Sequence, residues 1–112
     1  MKLTITSVEL KNPFTFFVFA NYARKNVAQL KKSPMVKFKS TGFWTRHYTM
    51  TLWNNEEDLK TYAKTGSHKE SMAKSPKLAK EIRTLTLDRD EMPSWSEAKS
   101  LLQEKGKVLR FN

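Results

Sequence analysis

Apolar and polar positions change period several times along the 112-residue chain, and each change marks an element. Met1–Leu10 carries the β-branched residues Thr4, Ile5, Thr6 and Val8. Asn12-Pro13 interrupts it, and an almost wholly apolar run, FTFFVF, follows over 14–19. A short continuous apolar run suits a strand buried on both faces. The two pieces are therefore expected to form one long first strand with an irregularity at Pro13, because proline cannot donate to a ladder. Over 20–32 the period becomes helical. Ala20, Ala23, Val27 and Leu30 share one face, Lys31 and Lys32 sit in the last turn, and Ser33-Pro34 ends the element.

Partial alternation over 35–43 predicts a second strand. Arg46–Trp53 is the clearest strand in the chain: Arg46, Tyr48, Met50 and Leu52 point one way, His47, Thr49, Thr51 and Trp53 the other. The short link at 44–45 favours a hairpin. Asn54-Asn55-Glu56-Glu57-Asp58 starts a helix, with an asparagine cap and three carboxylates at its positive end. Gly66 is a joint, because glycine costs about 1 kcal/mol in a helix interior. A second helical piece is expected over 68–74, interrupted at Ser75-Pro76, with a short third piece over 77–80. IRTLTL (82–87) reads as a strand and 88–93 as a loop. Ser94-Trp95-Ser96-Glu97 has the form of a reciprocal capping box, and Gly106 is expected to stop that helix in the left-handed conformation. A short extended piece closes the chain over 108–111.

Strand, helix, strand, strand, helix, strand is the split βαβ, or ferredoxin-like, arrangement. The expected class is α+β, a four-stranded antiparallel sheet plus a C-terminal helix. Residues 1–112 form one domain, and 88–112 form its C-terminal helical arm.

Composition narrows the chemistry. Without cysteine there are no disulfides, thiolate metal sites or cysteine nucleophiles. Only three glycines occur, at 42, 66 and 106, which excludes a glycine-rich phosphate cradle. Two histidines 21 residues apart do not make a structural zinc site. The first residues lack a leader-like apolar run, and no stretch reaches the length of a membrane span, so a soluble, cytoplasmic protein with no membrane partner is expected. The net charge is +10, dominated by lysine. Such a surface attracts polyanions, but a solvated basic surface with no specific partner is the preferred account, and anionic small molecules are a further class of ligand.

Two residues stand out as chemistry: Trp53, which ends the best strand, and His68, just after Gly66. The segments around them, HYTMTLW (47–53), EEDLKTYA (56–63) and GSHKESM (66–72), resemble the dimeric α+β barrel superfamily, in particular its antibiotic-biosynthesis-monooxygenase and spheroidene-monooxygenase type. The resemblance spans roughly residues 14–87. It implies a homodimer in which each subunit keeps a pocket between sheet and helices. It also implies a monooxygenase-like activity on an aromatic, isoprenoid or haem-like ligand, with no cofactor or with haem. On this reading His68 is a base or ligand, Trp53 a wall beside it, and Phe16, Tyr62 and Met72 apolar walls. Asn21 loosely matches an asparagine of the haem-degrading members, and Arg46 or Lys69 steers an anionic group to the mouth. No metal ligands are implied.

The alternatives are a basic nucleic-acid-binding ferredoxin-like module and a non-enzymatic dimeric scaffold. The chain lacks the glycine-aromatic signature of RNA-recognition motifs. A nucleic-acid module would bind RNA with an affinity that falls steeply as salt is added, by counterion release; a gel-shift series in rising salt measures this, and no shift at low salt removes the module.

Overall fold

A computed structural model describes residues 1–111, with only the backbone described at Phe43 and Ser67. The order is β1 (Lys2–Leu10), a 3-10 turn (Pro13–Thr15), α1 (Phe16–Lys31), β2 (Met35–Phe43), β3 (Arg46–Trp53), α2 (Glu56–Lys64), α3 (Gly66–Leu78), β4 (Ala79–Asp88), α4 (Trp95–Lys105) and β5 (Lys107–Arg110).

The strands form one antiparallel sheet in the order β2-β3-β1-β4-β5. The first four give the expected ferredoxin-like arrangement. The sheet has five strands rather than four, because the terminal extended piece pairs with β4, Ile82 opposite Leu109 and Arg83 opposite Val108.

The apolar run at 14–19 is helical, not a strand. Asn12, expected to break a strand, starts a helix instead. Its Oδ1 accepts from the amides of Phe14 at 2.9 Å and Thr15 at 3.2 Å, and Pro13 occupies a first-turn position, where a missing N–H costs nothing. The sheet has no place for the run either, since β1 already pairs with β3 on one side and β4 on the other. The rings are thus split: Phe14 is 87% and Phe17 73% exposed, while Phe16 and Phe19 turn towards His47, with ring centroids 5.9 and 4.8 Å away.

Three smaller expectations also change. Helix α3 runs through Ser75-Pro76 to Leu78, closed across the proline by the Ala79 amide donating to the Ser75 carbonyl. The expected third piece at 77–80 therefore divides between α3 and β4. Ser94 caps α4 through the Glu97 amide, but the Glu97 carboxylate pairs with Arg89 at 3.0 Å instead of reaching back. Gly106 is extended, with φ −67°, not left-handed. What its missing side chain permits is close approach to Leu102.

Each face of the sheet has its own core. Leu3 and Ile5 of β1 lie opposite Leu52 and Met50 of β3. All four are buried against Ala98 and Leu102 of α4. On the other face, Trp53 packs with Leu30 of α1 and Tyr62 of α2. Ile5→Ala should cost about 2–5 kcal/mol by opening a cavity under α4, whereas Phe17→Ala should stay within about 0.5 kcal/mol because the ring is exposed; urea unfolding of both variants measures the difference, and a large loss at Phe17 would restore the buried-strand reading.

Candidate functional site

The face that carries Trp53 is set by register. Trp53 lies opposite Lys2, Thr51 opposite Thr4, and Thr49 opposite Thr6. Across β1, Thr4 and Thr6 lie opposite Thr86 and Thr84. Residues directly opposite share a face, so two rows of three threonines continue the sheet away from Trp53. The Thr4 and Thr86 hydroxyls are 3.1 Å apart. The sequence carries this array openly as three T-x-T repeats, LTIT, YTMT and RTLT, but they show as one surface only once the strand order is known.

Three predicted residues meet at the end of that face. Trp53 is fully buried. Its ring lies 5.5 Å from that of Tyr62, and the Tyr62 ring lies 4.8 Å from that of His68. They are brought together by the α2–α3 joint. Asn55 caps α2 by accepting from the Asp58 amide at 2.9 Å, which sets Tyr62 on the inward side two turns later. Thr65 is extended and Gly66 has φ +59°, so the chain turns and places His68 in the first turn of α3.

Gln29 of α1 holds this joint. Its Nε2 donates to the carbonyls of Thr65 at 2.9 Å and Tyr62 at 3.2 Å, and its Oε1 accepts from the His68 amide at 3.0 Å. Glycine suits the φ of +59° at position 66, and a Cβ there would come within 2.9 Å of Gln29 Oε1 and displace the clasp. One turn earlier, Asn26 donates from Nδ2 to Ser71 Oγ at 3.0 Å, and its carbonyl accepts from the Tyr62 hydroxyl at 3.4 Å. Ser71 in turn donates to the His68 carbonyl at 2.9 Å.

The electrostatics follow from burial. Burial pushes the His68 imidazole below the ordinary histidine range, and its bond to the Ala63 carbonyl pulls it partly back. Nδ1 lies 3.1 Å from that carbonyl, which can only accept, so Nδ1 carries the proton and Nε2 keeps a lone pair. Burial pushes the Tyr62 phenol up to about 12, so it stays neutral. Trp53 Nε1 and Asn26 Oδ1 are buried with no partner among the described residues. An unpaired buried donor or acceptor costs about 1–3 kcal/mol, and one donor and one acceptor flank the same tyrosine.

The remaining predicted residues lie elsewhere. Phe16 stacks on Trp44 at 5.5 Å. Asn21 is exposed and accepts from Arg24 at 2.9 Å. Arg46 pairs with Glu9 at 2.9 Å and lines a polar cleft of about 130 Å³ on the α4 side of the sheet. Met72 is 45% exposed. Sequence reasoning missed Asn26 and Gln29. Their only signal is a polar pair, three residues apart, interleaved with the inward-facing Val27 and Leu30. The Tyr62 ring lies against His68 with the Trp53 ring packed behind it, and this arrangement does not fit a porphyrin. No cluster of metal-ligating side chains occurs among the described residues.

The architecture has clear counterparts among solved structures. An antibiotic biosynthesis monooxygenase superposes with a TM-score of 0.71 at 10% identity, over 81% of this chain and 100% of the other. This chain has the fold seen in structures of antibiotic biosynthesis monooxygenases. SnoaB of Streptomyces nogalater, a cofactor-independent oxygenase, superposes with a TM-score of 0.63 at 5% identity, covering 83% of this chain and 96% of that one. A conserved protein of Methanosarcina mazei Go1 gives 0.68 at 12% identity, with 80% and 94% covered. No protein-family profile matches the chain, and no curated protein matches it in sequence.

Because His68 is held neutral, the unfolded chain binds a proton that the folded chain refuses. Its contribution to stability is therefore present above the ordinary histidine value of 6.5 and is lost as the pH falls below it. Thermal midpoints recorded from about pH 7.5 down to pH 5.5 should fall less in His68→Gln than in the parent chain; parallel profiles would show that His68 is not held uncharged.

Proposed function

We propose that the chain is a small monooxygenase-like enzyme acting on a flat, hydroxylated aromatic compound at the Trp53–Tyr62–His68 cluster, and that it works as a homodimer. The observation that carries this reading is the pairing of a neutral imidazole with an unsatisfied indole N–H around one buried tyrosine. A phenolic substrate matches both groups. Its hydroxyl donates to the lone pair of His68 Nε2, and the oxygen, as negative charge develops, accepts from Trp53 Nε1. The aromatic rings supply apolar walls, the usual composition of such sites. Entry of a substrate requires the Tyr62 and Trp53 rings to part.

Proton removal is what makes the chemistry accessible without a cofactor. A phenolate is electron-rich enough to reduce dioxygen directly. In the overall step, phenol and O₂ give a quinone and water. One oxygen atom forms the new carbonyl and the other leaves as water; the substrate supplies all four electrons that reduce O₂, and the two hydrogens of the water come from its hydroxyl and from the ring carbon that is oxidised. His68 takes the phenolic proton and returns it to the departing oxygen. The fold shared with a cofactor-independent oxygenase supports the same class of reaction.

The nucleic-acid reading gains nothing from the sheet. One face carries the threonine array and the other lies under α4, so among the described residues no row of aromatics is presented for base stacking.

An oxygen electrode with a panel of polycyclic phenols tests the proposal. His68→Ala should lower kcat about 10²- to 10⁴-fold while the circular dichroism spectrum is kept, and Trp53→Phe, which removes the N–H but keeps the ring, should lower kcat less. Oxygen uptake that survives His68→Ala unchanged would refute the assignment. Sedimentation should show a dimer.

A further inference from the structure

The start of α1 exposes aromatic side chains that the proposed reaction does not use. Phe14 is 87%, Phe17 73%, Val18 48% and Trp44 47% exposed. They form one tip of the molecule. Phe16 lies between Phe17 and Trp44, 5.6 Å edge-on from the first and stacked 5.5 Å from the second. Trp44 sits in the β2–β3 turn at φ +57°, a left-handed conformation that a bulky side chain rarely adopts. Surface strain of this kind persists where the surrounding structure imposes it.

The stretch of chain that carries the tip is one-sided in charge. Between Glu9 and Glu56 there is no acidic residue, while eight lysines and arginines occur. On α1, Phe17 and Val18 begin an exposed row that continues through Asn21 to Arg24, Lys25, Lys31 and Lys32. A second copy seated here in a two-fold contact would bring these cations against their own counterparts. Valine offers nothing to a nucleobase, which is held by ring stacking. A surface that is anionic outside and apolar beneath matches both parts.

We propose that this tip is a peripheral docking site for an anionic lipid bilayer. Phe14, Phe17, Val18 and Trp44 enter the acyl boundary, and the cations of α1 rest on the headgroups. No helix among the described residues is long and apolar enough to cross a membrane, so the contact lies on the surface. It would deliver an apolar aromatic compound from the lipid phase, yet it stands apart from His68 and can fail or hold independently of the reaction.

Cosedimentation with vesicles tests it. The full chain should pellet with an equal mixture of phosphatidylcholine and phosphatidylglycerol, release as salt is raised, and stay free of phosphatidylcholine alone. Phe14→Ser with Phe17→Ser should weaken binding at least about tenfold with an unchanged thermal midpoint, since both rings are exposed. The vesicle-induced blue shift of tryptophan emission should vanish in Trp44→Phe. Failure to pellet would overturn the proposal, as would equal pelleting by the double variant, which would mean charge alone. Two other results would also overturn it by assigning the tip to a different occupant: a change of oligomeric state in the double variant, or loss of oligonucleotide binding in a chain that ignores vesicles.

Discussion

Everything in this molecule depends on β1 being paired on both sides at once. Its residues lie in register with β3 from Lys2–Trp53 to Glu9–Arg46, and with β4 from Lys2–Asp88 to Glu9–Glu81. Side chains alternate across a strand, so this double pairing sorts the whole sheet. Leu3 and Ile5 go to the α4 side with Met50 and Leu52. The threonines go to the other side, where Trp53 closes the row against α1 and α2. A slip of one residue would exchange the two faces, burying hydroxyls under α4 and exposing the leucines. The edges of the sheet then fall to β2 and to β5.

The helical side is assembled differently. It is less a hydrophobic layer than a polar clasp. Gln29 makes four bonds to the α2–α3 joint, and Asn26, Ser71 and Tyr62 continue the network. Hydrogen bonds of this kind give modest net stability but fix geometry. The same burial that orders Tyr62 and His68 keeps both uncharged near neutral pH. Structure and reactivity are thus coupled: a histidine able to accept a proton exists because its surroundings exclude water.

How much of this was legible in the sequence depended on whether the signal was local. The alternation of Arg46–Trp53, the Asn55 cap, the Gly66 joint and the Ser94 cap are all written within a few residues, and all are present. The apolar content of FTFFVF alone predicts a buried strand, and the structure makes it helical. The deciding signal was one step earlier, in Asn12-Pro13, a helix start that resembles a strand break. Trp53, Tyr62 and His68 could be found together because one joint links them. Phe16, Asn21, Arg46 and Met72 could not be placed, since their neighbours depend on strand order and on which side of each helix faces in. Asn26 and Gln29 escaped for the same reason: their partners are 33–45 residues away.

The central claim is that His68 sits uncharged against Tyr62, with its proton on Nδ1 and a free lone pair on Nε2. Long-range ¹H–¹⁵N correlation of the imidazole during a pH titration reads both facts on one residue. The account predicts the Nδ1–H tautomer at neutral pH and a midpoint below the ordinary histidine value of 6.5. An Nε2–H tautomer, or a midpoint at or above that value, would contradict it.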